Sequence, residues 1–118
     1  MPHALSEETR YRLLKLLAEN PRASQRELAH ALGISIGKVN YCLRALIDKG
    51  LVKARNFRQS DRKSAYAYLL TPRGIEEKIQ VTYAFLRRKL DEHDALAAEI
   101  ERLSAEVREI EAVGEAEK

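Results

Sequence analysis

Apolar residues recur in steps of three and four through the first fifty positions, alternate with polar ones over two short stretches, and then return to a helical period up to the C-terminus. Leu13, Leu14 and Leu17 form the inward stripe of a first helix. It starts at Ser6, carries Glu7 and Glu8 in its first turn, and is closed at Asn20-Pro21, because proline forbids continuation. Ser24 followed three residues later by Glu27 spells a capping box, so a second helix starts there. Gly33 ends it, since glycine alone enters the left-handed conformation without a Cβ penalty. Ser35 caps a third helix, in which Val39, Leu43 and Leu46 share one stripe facing the core.

The polar segments are just as regular. LVKARNF, residues 51–57, alternates apolar and polar positions, and SAYAYLL, residues 64–70, is rich in strand-forming Tyr and Leu. They predict an antiparallel hairpin whose loop, residues 58–63, holds the basic Arg58, Arg62 and Lys63. Thr71 is a good N-cap and Pro72 suits the first helical position. With no proline or glycine between Gly74 and Gly114, a helix on the order of 60 Å is expected. Within it Leu96, Ile100, Leu103, Val107 and Ile110 repeat by four and three, a heptad seam with β-branched residues at a and mostly Leu at d, a combination that favours two parallel strands. Extended backwards, the register places Ile79, Leu86 and His93 at a, and Thr82 and Lys89 at d. The expected fold is mainly α with a small β-hairpin: a winged helix-turn-helix over residues 1–74, then a long C-terminal coiled-coil helix over residues 75–118 with a frayed end.

The open face of the third helix carries Gly37, Lys38, Asn40, Tyr41 and Arg44, with no carboxylate before Asp48. A merely solvated face would carry Glu and Lys pairs. Amide, phenol, ammonium and guanidinium groups instead match base edges and phosphates, and Gly37 lets the backbone come close. Ser24 and Gln25, at the start of the second helix, and Ser35 are assigned to the same DNA-binding set, as are Arg58, Arg62 and Lys63 of the hairpin tip, which is placed to meet phosphates or a minor groove.

Charge separates the two parts of the chain. Residues 1–74 hold 14 Lys and Arg against 6 Asp and Glu, net +8, whereas residues 75–118 hold 7 against 12, net −5, which together give the overall +3. The cationic part is the one containing the helix-turn-helix, as a polyanion-binding domain requires. A single cysteine, Cys42, excludes an internal disulfide and fits a reducing cytoplasm. No secretory leader and no membrane span is expected.

Residues 6–76, about two thirds of the chain, resemble the winged-helix domain of the MarR family of bacterial transcriptional regulators, and most closely its subgroup associated with exopolysaccharide gene clusters. The resemblance is carried by LGIS before the third helix, residues 46–50 at its end, Asp61-Arg62, and Leu70-Thr71-Pro72 with Gly74. It implies that Ser35, Gly37, Lys38, Asn40, Tyr41 and Arg44 lie at or near DNA, and that Arg62, braced by Asp61, reaches toward the minor groove. Only five residues precede Ser6, whereas typical MarR proteins have an additional N-terminal helix, so the resemblance does not carry over their crevice for phenolic ligands, and it assigns no small-molecule effector. The long terminal helix looks more like that of PadR-type regulators.

A domain of some 74 residues cannot bury so long an apolar stripe alone. A homodimer is therefore expected, joined through Ile79, Leu86, His93, Leu96, Ile100, Leu103, Val107 and Ile110. No metal site is expected from His3, His30 and His93, which share no ligand spacing. His93, at an a position, sets register or loosens the coil when protonated. Cys42 fits a buried small apolar group better than an oxidant sensor, and Glu7, Glu8 and Glu27 are first-turn helix acids. No phosphate loop, nucleophile elbow or carboxylate pair points to an enzyme or a cofactor. The expected function is a sequence-specific DNA-binding regulator, a repressor on an inverted-repeat operator. The alternative is a winged-helix adaptor that docks a protein through its acidic coil.

Overall fold

A computed structural model describes residues 6–58 and 64–117. The elements follow in the order α1 (Glu7–Glu19), α2 (Gln25–Leu32), α3 (Ile36–Asp48), β1 (Val52–Arg58), β2 (Ser64–Leu70) and α4 (Pro72–Ala116). Residues up to Phe85 form one compact unit, which includes the opening turns of α4 and so extends past Gly74; residues from Leu86 onward form a second.

Local chemistry sets each helix start. The Ser6 side chain accepts from the Thr9 N–H, and that of Ser35 from the Lys38 N–H at 3.0 Å. At Ser24 the capping box is complete: its hydroxyl accepts from the Glu27 N–H at 3.0 Å, and the Glu27 carboxylate accepts from the Ser24 N–H at 2.8 Å. Each such cap satisfies donors that the helix leaves free, worth about 0.5–2 kcal/mol. Gly33 takes a φ of 69°, which lets the Ile34 N–H return to the Ala29 carbonyl at 3.1 Å and turns the chain sharply into α3.

The core is a leucine cluster with Leu13, Leu14 and Leu17 of α1 facing Leu28 of α2 and Val39 and Leu43 of α3, all essentially without solvent contact. Burying each of these side chains contributes about 1.5–3 kcal/mol. The hairpin closes one side of this cluster. β1 and β2 pair antiparallel from Val52–Leu70 to Arg58–Ser64, and the Tyr68 N–H donates to the Pro21 carbonyl at 2.8 Å. Arg58 therefore ends β1 instead of opening the loop, a one-residue difference from the alternation of residues 51–57. Asp61, Arg62 and Lys63, like His3, lie outside the described residues.

The entry to α4 is fixed by Thr71, whose hydroxyl donates to the Gly50 carbonyl at 2.6 Å and accepts from the Gly74 N–H at 3.0 Å. In the first unit α4 turns Gly74 and Val81 inward, pairs Glu77 with Arg10 of α1, and stacks Phe85 on Tyr11 with ring centroids 4.9 Å apart. Ile75 and Ile79, by contrast, are each about half exposed. In the second unit α4 continues through Gly114 to Ala116, and every described residue from 86 on except the half-buried Ser104 is exposed. Among the described residues no helix is long and apolar enough to cross a membrane.

Candidate nucleic-acid interface

Helix α3 turns one stripe into the core and leaves the opposite side open. Val39, Cys42, Leu43 and Leu46 are buried on the inner stripe. On the outer side Ser35, Gly37, Lys38, Tyr41 and Arg44 are exposed and Asn40 is half-buried. The structure thus brings these six residues to one surface, starting at the N-terminus of the helix. No acidic residue lies in its first turn. The free N–H groups and positive dipole end there add to the charges of Lys38 and Arg44, which favours an anionic partner.

Ile36 also belongs to this surface. It is 42% exposed, a large apolar side chain at the first turn of α3, and the stripe of Val39, Leu43 and Leu46 does not include it. It lies three residues ahead of the buried Val39 and seven ahead of Leu43, at the first position of the helix, where the core no longer covers the stripe. An exposed isoleucine beside amide and guanidinium donors is suited to a thymine methyl.

Of the α2 residues, Ser24 is exposed, and its hydroxyl and backbone N–H are both engaged in the capping box. Gln25 is half-buried, and its Nε2 donates to the Tyr68 hydroxyl at 3.0 Å. This bond ties the start of α2 to β2. On the hairpin Lys53, Arg55 and Asn56 are exposed, and Tyr66 is 53% exposed with its ring 6.4 Å from that of Tyr68. Arg62 and Lys63 lie outside the described residues.

Cys42 lies beneath this surface. Burial pushes its thiol above the ordinary range, and the nearby Lys38 ammonium only partly offsets this. A thiol held protonated is a poor nucleophile, in keeping with a packing role. On another face of the first unit, Tyr11, Arg12, Lys15, Leu16 and Phe85 line an open cleft of about 340 Å³.

The residues expected to join two copies lie along α4. Ile79, Leu86, Leu96, Ile100, Leu103, Val107 and Ile110 are each between 48% and 66% exposed, and His93 is exposed as well. Tyr83 and Leu90, exposed at 67% and 55%, were missed because they sit one residue beyond the d positions of Thr82 and Lys89. An α-helix drifts relative to a strict seven-residue repeat, so the apolar stripe shifts by one position between the two halves of the helix.

Residues 6–53 match a family described as winged helix-turn-helix DNA-binding. Among solved structures, the chain is similar to a PadR-like transcriptional regulator from Bacillus cereus strain ATCC 14579, at 15% identity and a TM-score of 0.67, over 74% of this chain and 89% of that one. It is also similar to the transcriptional regulator BldR from Sulfolobus solfataricus, at 27% identity and a TM-score of 0.56, over 72% of this chain and 58% of that one. A MarR family protein of Mycobacterium tuberculosis, solved with p-aminosalicylic acid, matches at 28% identity and a TM-score of 0.51, over 70% of this chain and 62% of that one. The chain thus spans about six tenths of the length of the last two. No curated protein sequence matches it. The fold is the winged helix-turn-helix found in regulators of the MarR and PadR type, and it carries a DNA-binding domain.

Proposed function

We propose that the protein is a sequence-specific transcriptional regulator that binds an inverted-repeat operator as a homodimer and represses where that operator overlaps a promoter. The observation that carries this reading is the outer side of α3, where Lys38, Tyr41 and Arg44 stand exposed beside Asn40 and Ile36 with no carboxylate among them. Asn40 and Arg44 read base edges, Lys38 and Ser35 meet phosphates, and Gly37 lets the backbone approach. Arg58, Arg62 and Lys63 extend the contact along the hairpin, and Ser24 and Gln25 fix the start of α2 against the duplex.

Dimerisation follows from α4. A stripe of half-exposed Leu, Ile and Val over this length is far more apolar surface than a soluble monomer ordinarily leaves open. Two copies covering each other's stripes remove it from water and present two α3 helices to one duplex, half-sites one turn or more apart. Residues 1–74 serve as the DNA-binding domain and 75–118 as the dimerisation helix, in the cytoplasm. Exopolysaccharide gene clusters are the targets to which the resemblance of residues 6–76 points.

Selection of bound fragments from random duplex DNA tests the reading. A palindromic consensus is expected, with affinity for it falling steeply between low and moderate salt as counterions are released. Binding without a consensus would indicate a nonspecific architectural role, and no binding at low salt would remove the assignment.

A further inference from the structure

Resting on the self-association proposed above, we infer that two α4 helices pack antiparallel, with Ile79 of one chain against Leu103 of the other and Leu86 against Leu96. This places the basic start of each helix along the acidic end of its partner. The two-fold axis then passes beside Leu90, which meets its twin, and Tyr83 lies over the small Ala97.

Three features select this orientation. The first is the distribution of charge. Between residues 72 and 89 Lys and Arg outnumber acids five to two, and between residues 99 and 117 acids outnumber bases seven to two. A parallel pair sets each of these two segments against its like, whereas an antiparallel pair sets each against its opposite; Asp91, Glu92 and Asp94 between them lie near their twins in either orientation and so do not decide it. The second is the flank of the seam. In the parallel register Glu106 comes to face Glu111 of the partner; in the antiparallel one it faces Lys78.

The third is the polar interruption at Lys89 and His93. A parallel pair stacks Lys89 on Lys89 and then His93 on His93 in consecutive interior layers. In the antiparallel pair each Lys89 instead meets His93 of the other chain. Its ammonium stays with Glu92, to which it is already joined within its own helix at 3.2 Å, while Arg88 lies 3.7 Å from the same carboxylate. The preference of β-branched a and Leu d positions for parallel pairs rests here on Ile100 and Val107 alone among clean layers. It is outweighed by a charged layer repeated against itself.

The test is disulfide trapping in a Cys42→Ala background, with Leu86→Cys and Leu96→Cys made in separate chains, one of them carrying a size tag. Both sites are about half exposed and outside the buried core, so neither substitution opens a cavity in it. Oxidised alone, neither variant is expected to self-link, because like positions at residue 86 lie about 15 Å apart along the axis. Mixed and allowed to exchange, they should link into a heterodimer. Self-linking of each variant alone, or a dimeric mass with no link in the mixture, would overturn the orientation while leaving self-association intact. A monomeric mass for the unmodified chain at micromolar concentration would instead remove the self-association on which the inference rests. Charge reversal gives a second readout: Lys78→Glu should weaken the dimer at least several-fold and Lys78→Glu with Glu106→Lys should restore it. No recovery in the double variant would count against the antiparallel register.

Discussion

Gly74 lies directly against the backbone carbonyl of Leu51, so close that a Cβ on Gly74 would fall far inside van der Waals contact with that oxygen. The same turn carries the Leu51 carbonyl as acceptor from the Thr71 N–H at 3.0 Å, so the carbonyl has no freedom to swing away. Gly74→Ala should therefore destabilise the first unit by about 1–3 kcal/mol, the range for overpacking a closed site. Gly114→Ala, with open space around it, should cost nothing and gain up to about 1 kcal/mol of helix propensity. Urea unfolding of both variants checks the pair. Equal stabilities would mean that the start of α4 can shift away from Leu51.

The outer side of α3 makes a different kind of prediction. Replacing Arg44 or Asn40 with Ala should reduce binding to the selected operator by about 1–3 kcal/mol and to random duplex by much less, because a lost base contact matters only where the right base is present. Replacing Lys63 should weaken all sequences alike and lower the salt slope by about 1. Fluorescence titrations on both duplexes at two salt concentrations separate these outcomes. Equal loss on both duplexes for Asn40→Ala would reassign that residue to the backbone.

Much of this arrangement is legible in local sequence. Ser6, Ser24, Ser35 and Gly33 act on N–H and carbonyl groups within five residues, so their spacing alone predicts the helix ends found in the structure. The leucine stripes are legible for the same reason, since a 3.6-residue period needs no knowledge of the partner. Long-range partners are not written that way. Arg10 with Glu77, Gln25 with Tyr68, and the inward turn of Val81 depend on how distant segments meet. In α4 the period reveals an apolar stripe but not which face the winged helix takes. Val81 goes inward because the angle at which Thr71 and Gly74 launch the helix against Leu51 points it there. On α3 the polar residues are evident, whereas Ile36 reads as one more core position, because its spacing from Val39 does not tell that the core ends short of the first turn.

Cys42 supplies a pH dependence with a definite sign. Burial raises its thiol in the folded chain, whereas in the unfolded chain it ionises at about 8.5. Below that pH both states hold the proton and the cysteine contributes no slope. Above it the unfolded state releases the proton first, so stability falls as pH rises until the folded pKa is passed, by up to about 1.4 kcal/mol per unit. Cys42→Ala lacks this loss. The stability difference between the wild-type chain and Cys42→Ala, measured by urea unfolding at pH 7 and pH 9.5, should therefore move in favour of the variant at the higher pH. A constant difference would show that the folded thiol ionises as readily as the unfolded one.

The bond from Gln25 Nε2 to the Tyr68 hydroxyl couples the start of α2 to the hairpin. Tyr68 is buried, with 7% of its surface exposed, so it offers a duplex little surface, and its influence on binding is expected to pass through the position of β2. Gln25→Ala and Tyr68→Phe each break the same bond, at a net cost of about 0.5–1.5 kcal/mol in stability, and the double variant should cost little more than either alone. If Gln25 serves the interface by holding the hairpin in place, both single variants should weaken operator binding by a similar factor, with no further loss in the double. A larger loss for Gln25→Ala than for Tyr68→Phe would mean that the remaining amide oxygen or the side chain itself touches the duplex. The double-mutant cycle, read once by unfolding and once by titration with operator DNA, distinguishes a residue that positions the hairpin from one that contacts DNA.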